Sequence, residues 1–478
     1  MSQTQDSSAE TSTTKRRTFM AGLGALAGSG ALGQTTSARE SGSNGTTGRR
    51  RNVILTIPDG GSRTHDTAAR YLRAYENDAS AFPANIEDVE LGIDRAEYVG
   101  SMSTYPDDPE QLITDSGAAA TAMATGQKSY TGAISVDHDG RPIETILERA
   151  SDAGYATGLV TTTQMTHATP AAFAAHVEDR GQQADIACQY VRQSDVDVFM
   201  GGDRSHFRAE ERDDGADLIG EARDRGYQYL ETASDLESVD DGKVLGLFSE
   251  TGHFEYAVDR QADDENTQPG LPTMTEAAID VLEARSEQGF FLLVEGGRID
   301  HAGHANDPAM LPEQLEHDEA VEVAMDYAGD GSGQGNGRGP TDTLVVNVAD
   351  HETGGLVLGR DSYDMNWEYI AEQSLTQERL ASELEDASSQ SALASTLEDH
   401  TGIDDLSEDD LAELEADPSA IEGRDSVVNR RAGLAWGSDA HTATDVPIYA
   451  KGDNAAYFGG HHENDDLFAG LEAALGLR

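Results

Sequence analysis

Short apolar runs recur along this chain, and most of them stop at an acidic or glycine-rich turn. Residues 53–57 lead into Pro58-Asp59-Gly60-Gly61, and residues 157–161 lead towards His167. Residues 196–200 end at Gly201-Gly202-Asp203, residues 290–294 at Glu295-Gly296-Gly297, and residues 343–348 at Asp350-His351, with 244–248 a weaker member of the set. Patterns of helical period lie between them, at 143–153, 184–192, 276–287 and 311–327. Runs that are apolar throughout suit strands buried on both faces, and the intervening helices supply the crossovers that parallel strands need. The predicted fold class is therefore α/β, a mainly parallel central sheet with helices on both faces.

Two stretches depart from the alternation. Residues 363–431 read as an acidic helical insertion, in which Ser374 and Gln377 have the spacing of a capping box ahead of Leu380 and Leu384. The charge run at 404–417 reads as a solvated helix face. Residues 329–340 are glycine-rich and predict a loop. The pattern resumes at 446–449 and in a last helix near 465–475.

The N-terminus reads as an address. Lys15-Arg16-Arg17-Thr18-Phe19-Met20 precedes a Gly/Ala-rich apolar run, so residues 1–33 resemble a twin-arginine export signal. That run is too short to span a membrane. Residues 34–51 are rich in Ser, Thr and Gly and predict a flexible linker. An exported protein, extracellular or at the cell surface, is the expectation.

Charge narrows the partners. The chain carries 89 acidic and 33 basic side chains, a formal net charge of −56. Such a surface repels nucleic acid and anionic membranes. The regular apolar runs favour a folded chain over an acidic disordered one. Lys15, Lys128, Lys243 and Lys451 are the only lysines. Many carboxylates with few lysines resemble proteins of extreme halophiles, so the fold is expected to need concentrated salt to screen self-repulsion. Cys188 is the only cysteine, which excludes an intramolecular disulfide and reads as a small buried hydrophobe.

Ligands of open α/β sheets bind beyond the carboxyl ends of the strands. Asp59, His167, Thr169, Glu295, Asp300, His304, Asp350 and His351 collect at those ends. Asp300 and His304 are four apart, so one helical face can present both to a zinc ion. The segment Thr114-Asp115-Ser116-Gly117-Ala118-Ala119 places a serine ahead of small, helix-forming residues. At a helix N-terminus such a serine can face an anion, and a neighbouring metal can lower its hydroxyl pKa. The competing reading, that Ser116 is merely a helix cap, explains the serine but not the small residues behind it. Asp137-x-Asp139-Gly140 reads as a turn rather than a calcium loop, and His461-His462 as an exposed loop pair.

Taken together, Asp115-Ser116-Gly117-Ala118-Ala119, Ala168-Thr169-Pro170-Ala171-Ala172, Val294-Glu295-Gly296, Asp300-x-x-x-His304, Ala349-Asp350-His351 and the late His441 resemble the alkaline phosphatases. The resemblance implies the alkaline-phosphatase-like fold over a catalytic domain at 52–478, with 363–431 inserted. It implies a first zinc on Asp300, His304 and His441. A second zinc would sit on Asp59, Asp350 and His351, with Ser116 as nucleophile. A third site on Asp59, Thr169 and Glu295 is usually magnesium. Arg180 would clamp the phosphate, since its planar fork bonds two oxygens at once. His167 stands where the best-known bacterial pattern has Asp, and His301 where it has Lys. Both imidazoles would tilt the third site towards zinc.

The resemblance leads to an expectation of phosphate-monoester hydrolysis through a phosphoserine, by a homodimer without a membrane span. Two readings compete with it: a phosphodiesterase of the same superfamily, and a non-catalytic acidic surface protein that binds cations or phosphate.

Overall fold

The structure is a computed structural model that describes residues 50–239, 242–329, 342–360 and 362–477. The predicted export signal, the linker up to residue 49 and the glycine-rich loop at 330–340 lie outside the described residues. Arg51, the last residue assigned to the linker, already opens the first strand.

The chain forms β1 (Arg51–Pro58), β2 (Tyr98–Ser103), β3 (Ala156–Gln164), β4 (Val198–Gly202), β5 (Tyr227–Leu230), β6 (Lys243–Leu247), β7 (Gly289–Gly296) and β8 (Thr343–Val348). Four short strands come next: β9 (Glu352–Thr353), β10 (Leu356–Leu358), β11 (Leu434–Trp436) and β12 (His441–Thr442). The last are β13 (Val446–Gly452) and β14 (Gly460–Glu463). Ten of the strands build one sheet in the order β14-β2-β13-β8-β1-β7-β3-β4-β6-β5. β13 runs antiparallel to β2 and β8, and the other pairings are parallel.

Burial on both faces explains the apolar runs. Val53, Leu55 and Ile57 of β1 join one apolar cluster, while Ile54 points into another. In β7, Phe291 and Leu293 take the first side, and Phe290, Leu292 and Val294 the second. Helices cover each face: Ser116–Thr125 and Asp466–Leu475 on one, Leu271–Arg285 and Met310–Ala328 on the other. Truncating a residue such as Leu293 to Ala would cost about 2–5 kcal/mol, because neighbouring strands prevent the cavity from collapsing.

β2, β5 and β14 carry no continuous apolar run, which is why the periodicity did not reveal them. β2, for instance, is exposed at Tyr98 and Val99. His461 and His462 belong to the edge strand β14 rather than to a loop, and His461 meets the hydroxyls of Ser101 and Ser103. Asp137 Oδ1 accepts the backbone N–H groups of Asp139 and Arg141, a self-contained turn.

Between the paired strands β10 and β11 lie five α-helices: Trp367–Ala371, Gln377–Glu385, Gln390–Thr401, Glu408–Ala416 and Val427–Ala432. They share a small apolar cluster that includes Leu380, Leu384, Leu393, Leu397 and Leu414. The cap of the second helix is Thr376, not Ser374. Its hydroxyl accepts the Arg379 N–H, while Ser374 is taken by His400. No helix among the described residues is long and apolar enough to cross a membrane.

Candidate active site

Parallel neighbours end at one edge, so β8, β1, β7 and β3 bring their C-terminal residues together. Asp59 follows β1, Glu295 lies near the end of β7, Asp350 and His351 follow β8, and His167 and Thr169 follow β3. The register sets Glu295 opposite both Ile57 and Thr161, and the Thr161 hydroxyl donates to Glu295 Oε2 at 2.5 Å. Gly60 turns the chain at φ +74°; a Cβ there would lie 2.9 Å from the Asp300 Cα. Glycine thus lets the end of β1 run against the helix that carries Asp300.

Among the described residues three clusters of metal-ligating type result. They are Asp59, His167 and Glu295; Asp59, Asp350 and His351; and Asp300, His351 and His441. Asp59, Glu295, Asp350 and His351 are fully buried. Both Asp59 carboxylate oxygens, Asp350 Oδ2, Glu295 Oε1 and His167 Nδ1 lack a hydrogen-bond partner. Burial and the charges of Asp350, Asp300 and Glu295 push Asp59 far above the usual carboxylate range. Burial, reinforced by Asp300, raises Asp350 to about 7. Burial pushes Glu295 up as well, but His167, with the Thr161 and Thr169 hydroxyls, outweighs it and holds the group down. Buried, mutually repelling carboxylates with orphaned oxygens are what a bound cation relieves. Mixed carboxylate and imidazole donors fit zinc, and a site richer in oxygen fits magnesium.

The outer cluster stands on the helix Arg298–Ala305 and on β12. Asp300 and His304 face each other at 3.4 Å across one helical turn, and His441 Nε2 lies 3.4 Å from Asp300 Oδ1. β12 pairs with β9, opposing His441 to Thr353, and this brings the His441 ring onto that of His351. The tautomers are set by the outer partners. His441 Nδ1–H donates to the Thr114 carbonyl at 2.8 Å, and His304 Nδ1–H to the Asp439 carbonyl at 2.7 Å. Both Nε2 atoms therefore point inward, 3.1 Å apart and next to Asp300, where a cation could take them as ligands.

Ser116 is buried and opens the helix Ser116–Thr125. It is not the cap: Asp115 is, accepting the Ala118 N–H at 3.0 Å. Ser116 Oγ lies 3.3 Å from His351 Nε2. Asp115 also accepts from Arg180 Nη1 at 2.8 Å, and Arg180 Nη2 donates to His167 Nε2 at 3.0 Å. The guanidinium is thus held between Asp115, the neighbour of Ser116, and the Asp59–His167–Glu295 cluster.

The family model described as alkaline phosphatase matches residues 50–477. The chain belongs to the alkaline phosphatase family. Alkaline phosphatase 3 of Bacillus subtilis is 35% identical over 89% of this chain and 89% of its own length. The cold-active alkaline phosphatase of a psychrophilic Shewanella is 31% identical, covering 89% of this chain and 99% of its own, with a TM-score of 0.76. A histidine-to-aspartate mutant of the TAB5 alkaline phosphatase, with magnesium in its M3 site, is 25% identical over 90% and 98% of the two chains, with a TM-score of 0.61.

In this phosphatase His301 stands apart from the three clusters. Its Nδ1 accepts from Arg298 Nη1 at 3.0 Å, and its ring packs 4.2 Å from that of His253. Sequence reasoning missed His253, which lies beyond the end of β6 after the weakest of the apolar runs. It also missed Thr353, whose hydroxyl donates to Asp300 Oδ1 at 2.5 Å. Strand-end position was a signal for the first. The second needed the β9–β12 pairing, which no local pattern announces.

Proposed function

We propose that the protein hydrolyses phosphate monoesters through a phosphoserine at Ser116. Zinc would sit on Asp300, His304 and His441 and on Asp59, Asp350 and His351; magnesium or zinc would sit on Asp59, Thr169 and Glu295 beside His167. The observation that carries this reading is Ser116 Oγ at 3.3 Å from His351 Nε2, at a helix N-terminus bordered by orphaned carboxylates.

Bound cations supply the charge that lowers the hydroxyl pKa and neutralises phosphate oxygens. The side chains do the rest. The N–H groups at the start of the Ser116–Thr125 helix face the incoming anion. Arg180, oriented by Asp115, turns its fork towards two phosphoryl oxygens. Ser116 Oγ forms a bond to phosphorus as the ester P–O bond breaks, and the alcohol leaves with a proton. Water then attacks the phosphoserine, the P–Oγ bond breaks, and phosphate departs. Export through residues 1–33, a fold adapted to high salt and a homodimer belong to the same proposal. Magnesium in the M3 site of the TAB5 mutant supports including a third metal site in this reading.

The test is p-nitrophenyl phosphate hydrolysis at alkaline pH in molar salt, with EDTA and with zinc and magnesium restored. Turnover should vanish with chelator and return with metal. Ser116→Ala should retain metal and form no phosphoserine; full activity in that variant overturns the assignment.

A further inference from the structure

Arg180 ends a short segment that is laced to the nucleophile's helix. The Val177 N–H donates to the Ile134 carbonyl at 3.1 Å, the Ile134 N–H to the Val177 carbonyl at 3.0 Å, and the Arg180 N–H to the Gly132 carbonyl at 2.9 Å. Residues 132–135 are pinned in turn. The Gly132 N–H donates to Asp115 Oδ1 at 3.0 Å, the Thr121 hydroxyl to the Ala133 carbonyl at 3.1 Å, and the Ser135 N–H to Thr121 Oγ1 at 2.9 Å. His176 closes this ladder. Its Nδ1 lies 2.8 Å from the Ser135 carbonyl, and its Nε2 lies 2.9 Å from Glu148 Oε1. A carbonyl only accepts, so Nδ1 carries a proton. Glu148 Oε2 accepts the Thr145 N–H at 2.8 Å, and an ionised Glu148 requires Nε2 to donate as well. The ring is therefore an imidazolium with both protons in use. Burial works against that charge, but the bonds to Glu148 and to the Ser135 carbonyl, with the Glu148 charge, lift His176 above its ordinary value of 6.5. Glu148 faces it from the helix Ile146–Asp152. From Gln183–Arg192 comes the neutral Gln189, which bonds the His176 N–H at 2.7 Å and its carbonyl at 2.9 Å. Cavities of about 450 and 370 Å³ flank the ring, and their other titratable side chains are Glu144, Asp152, Glu178, Asp185, Asp195 and Cys188, none of them basic.

We propose that His176 is a positioning residue for the phosphate clamp: charged, it ties the Arg180 segment both to Glu148 and to the strip pinned on the Ser116 helix, and neutral, it must release one of those ties. The inference rests on the phosphatase reading above. A neutral imidazole has one N–H for two acceptors, so either the Ser135 carbonyl or Glu148 loses its donor. The sign follows from the direction of the shift. The folded value lies above the ordinary one, so both ties are complete below 6.5 and one is lost as pH rises through the raised value. Arg180 is then aimed less firmly, and phosphate is held less tightly at alkaline pH. A clamp that slackens there favours departure of the orthophosphate left when water has cleaved the phosphoserine.

The experiment measures binding of inorganic phosphate to the metal-loaded protein between pH 6 and pH 9.5, always as the ratio of variant to wild type, so that the titration of phosphate itself cancels. His176→Gln, with one donor nitrogen at every pH, should weaken phosphate about ten-fold at pH 6, the scale of one charge-assisted hydrogen bond. The ratio should approach one at pH 9.5, where the wild-type ring has also lost its second donor. In an Arg180→Ala background the same substitution should add less than about two-fold, because no clamp remains to be aimed. Glu148→Gln, which can keep the Thr145 capping box, removes the partner that holds the proton. It should weaken phosphate most near neutral pH and not at pH 9.5, and it tests the role even where His176→Gln folds poorly. A ratio that is the same at every pH, or a loss undiminished by Arg180→Ala, would reduce His176 to a structural contact and overturn the proposal while leaving the phosphatase standing. A wild-type protein that neither binds phosphate nor hydrolyses p-nitrophenyl phosphate removes the phosphatase reading, and the positioning role falls with it.

Discussion

The Asp59–His167–Glu295 cluster hangs from central strands and is sealed from solvent, whereas the Asp300, His304 and His441 side chains of the outer end are carried by an eight-residue helix and the two-residue β12. The His304 side chain is 38% exposed, while those of Asp59 and Glu295 are at 0%. Strand ladders fix the first cluster. The second is tied through carbonyls of loops: His304 to Asp439 and His441 to Thr114. One end of the site is therefore built into the sheet, and the other depends on what braces the loops around it.

The largest effect should separate the two ends. Asp59 belongs to two clusters, so Asp59→Ala should lower kcat/KM at least about a thousand-fold, and added zinc should not restore it. His441→Ala should cost about a hundred-fold and recover partly in excess zinc, since Asp300 and His304 remain. Equal recovery in both variants would erase the distinction.

The same difference governs how far the sequence revealed each end. Apolar runs ending in Asp59, Glu295 and Asp350-His351 announced the inner site, because a buried parallel strand leaves a dense local signature. The outer site was readable only in Asp300 and His304, where helical spacing is local. His441 came from family resemblance, since what places it is β12 pairing with β9 across a long stretch of chain. Thr353 and His253 act through contacts distant in sequence, and no periodicity encodes those. In the helical segment the amphipathic face at Leu380 and Leu384 was legible, but the cap was misplaced by two residues. Ser374 and Thr376 are both good caps locally, and His400 decides between them by binding Ser374.

The next effect is on stability with pH. Asp350, raised to about 7, gives the metal-free fold a stabilising contribution present when it is protonated, below its ordinary value of 3.8. That contribution is lost as pH rises from there through about 7. Asp59 is displaced in the same direction. A cation that replaces those protons therefore stabilises more at higher pH. The gap in Tm between metal-loaded and metal-free protein should widen from pH 5 to pH 8. A constant gap would mean that the inner carboxylates do not hold the metal.

A smaller effect should appear at the brace of the outer site. Asn306 donates to the Gly303 and Ser438 carbonyls, and Asn429 donates to the Asn306 and Gly423 carbonyls. Trp436 Nε1–H donates to Asn429 Oδ1 at 3.0 Å. This chain of hydrogen bonds joins the Val427–Ala432 helix to the ends of both elements that present His304 and His441. Asn429→Ala leaves the buried Asn306 carbonyl and the Trp436 Nε1–H unpaired, at a cost of about 1–3 kcal/mol. It should also weaken the more weakly held zinc about ten-fold, the scale of losing a supporting contact. Chelator competition that finds both zinc affinities reduced alike would place the brace under the whole site rather than its outer end.

The smallest effect should lie in the helical segment itself. Thr376 caps the Gln377–Glu385 helix, and its N–H and hydroxyl both reach the buried Asp259, each at 2.9 Å. Asp307, beyond His304, accepts from Gln373 and from the Gln377 N–H at 2.7 and 2.6 Å. Two buried carboxylates of the catalytic framework thus grip one helix start. Thr376→Ala removes the cap and one of the Asp259 contacts but leaves Asp307 and its partners in place. It should cost about 1–2 kcal/mol in stability. Because the Asn429 brace contacts the outer site through a different helix, kcat/KM should stay within about two-fold of wild type, less than about 0.5 kcal/mol in the transition state. Ser374→Ala, which caps nothing, should cost less in Tm than Thr376→Ala, and the reverse order would return the cap to Ser374. A Thr376→Ala protein that loses zinc as readily as Asn429→Ala would show that the segment grips the outer site as one rigid body, not through the Asn306–Asn429 link alone.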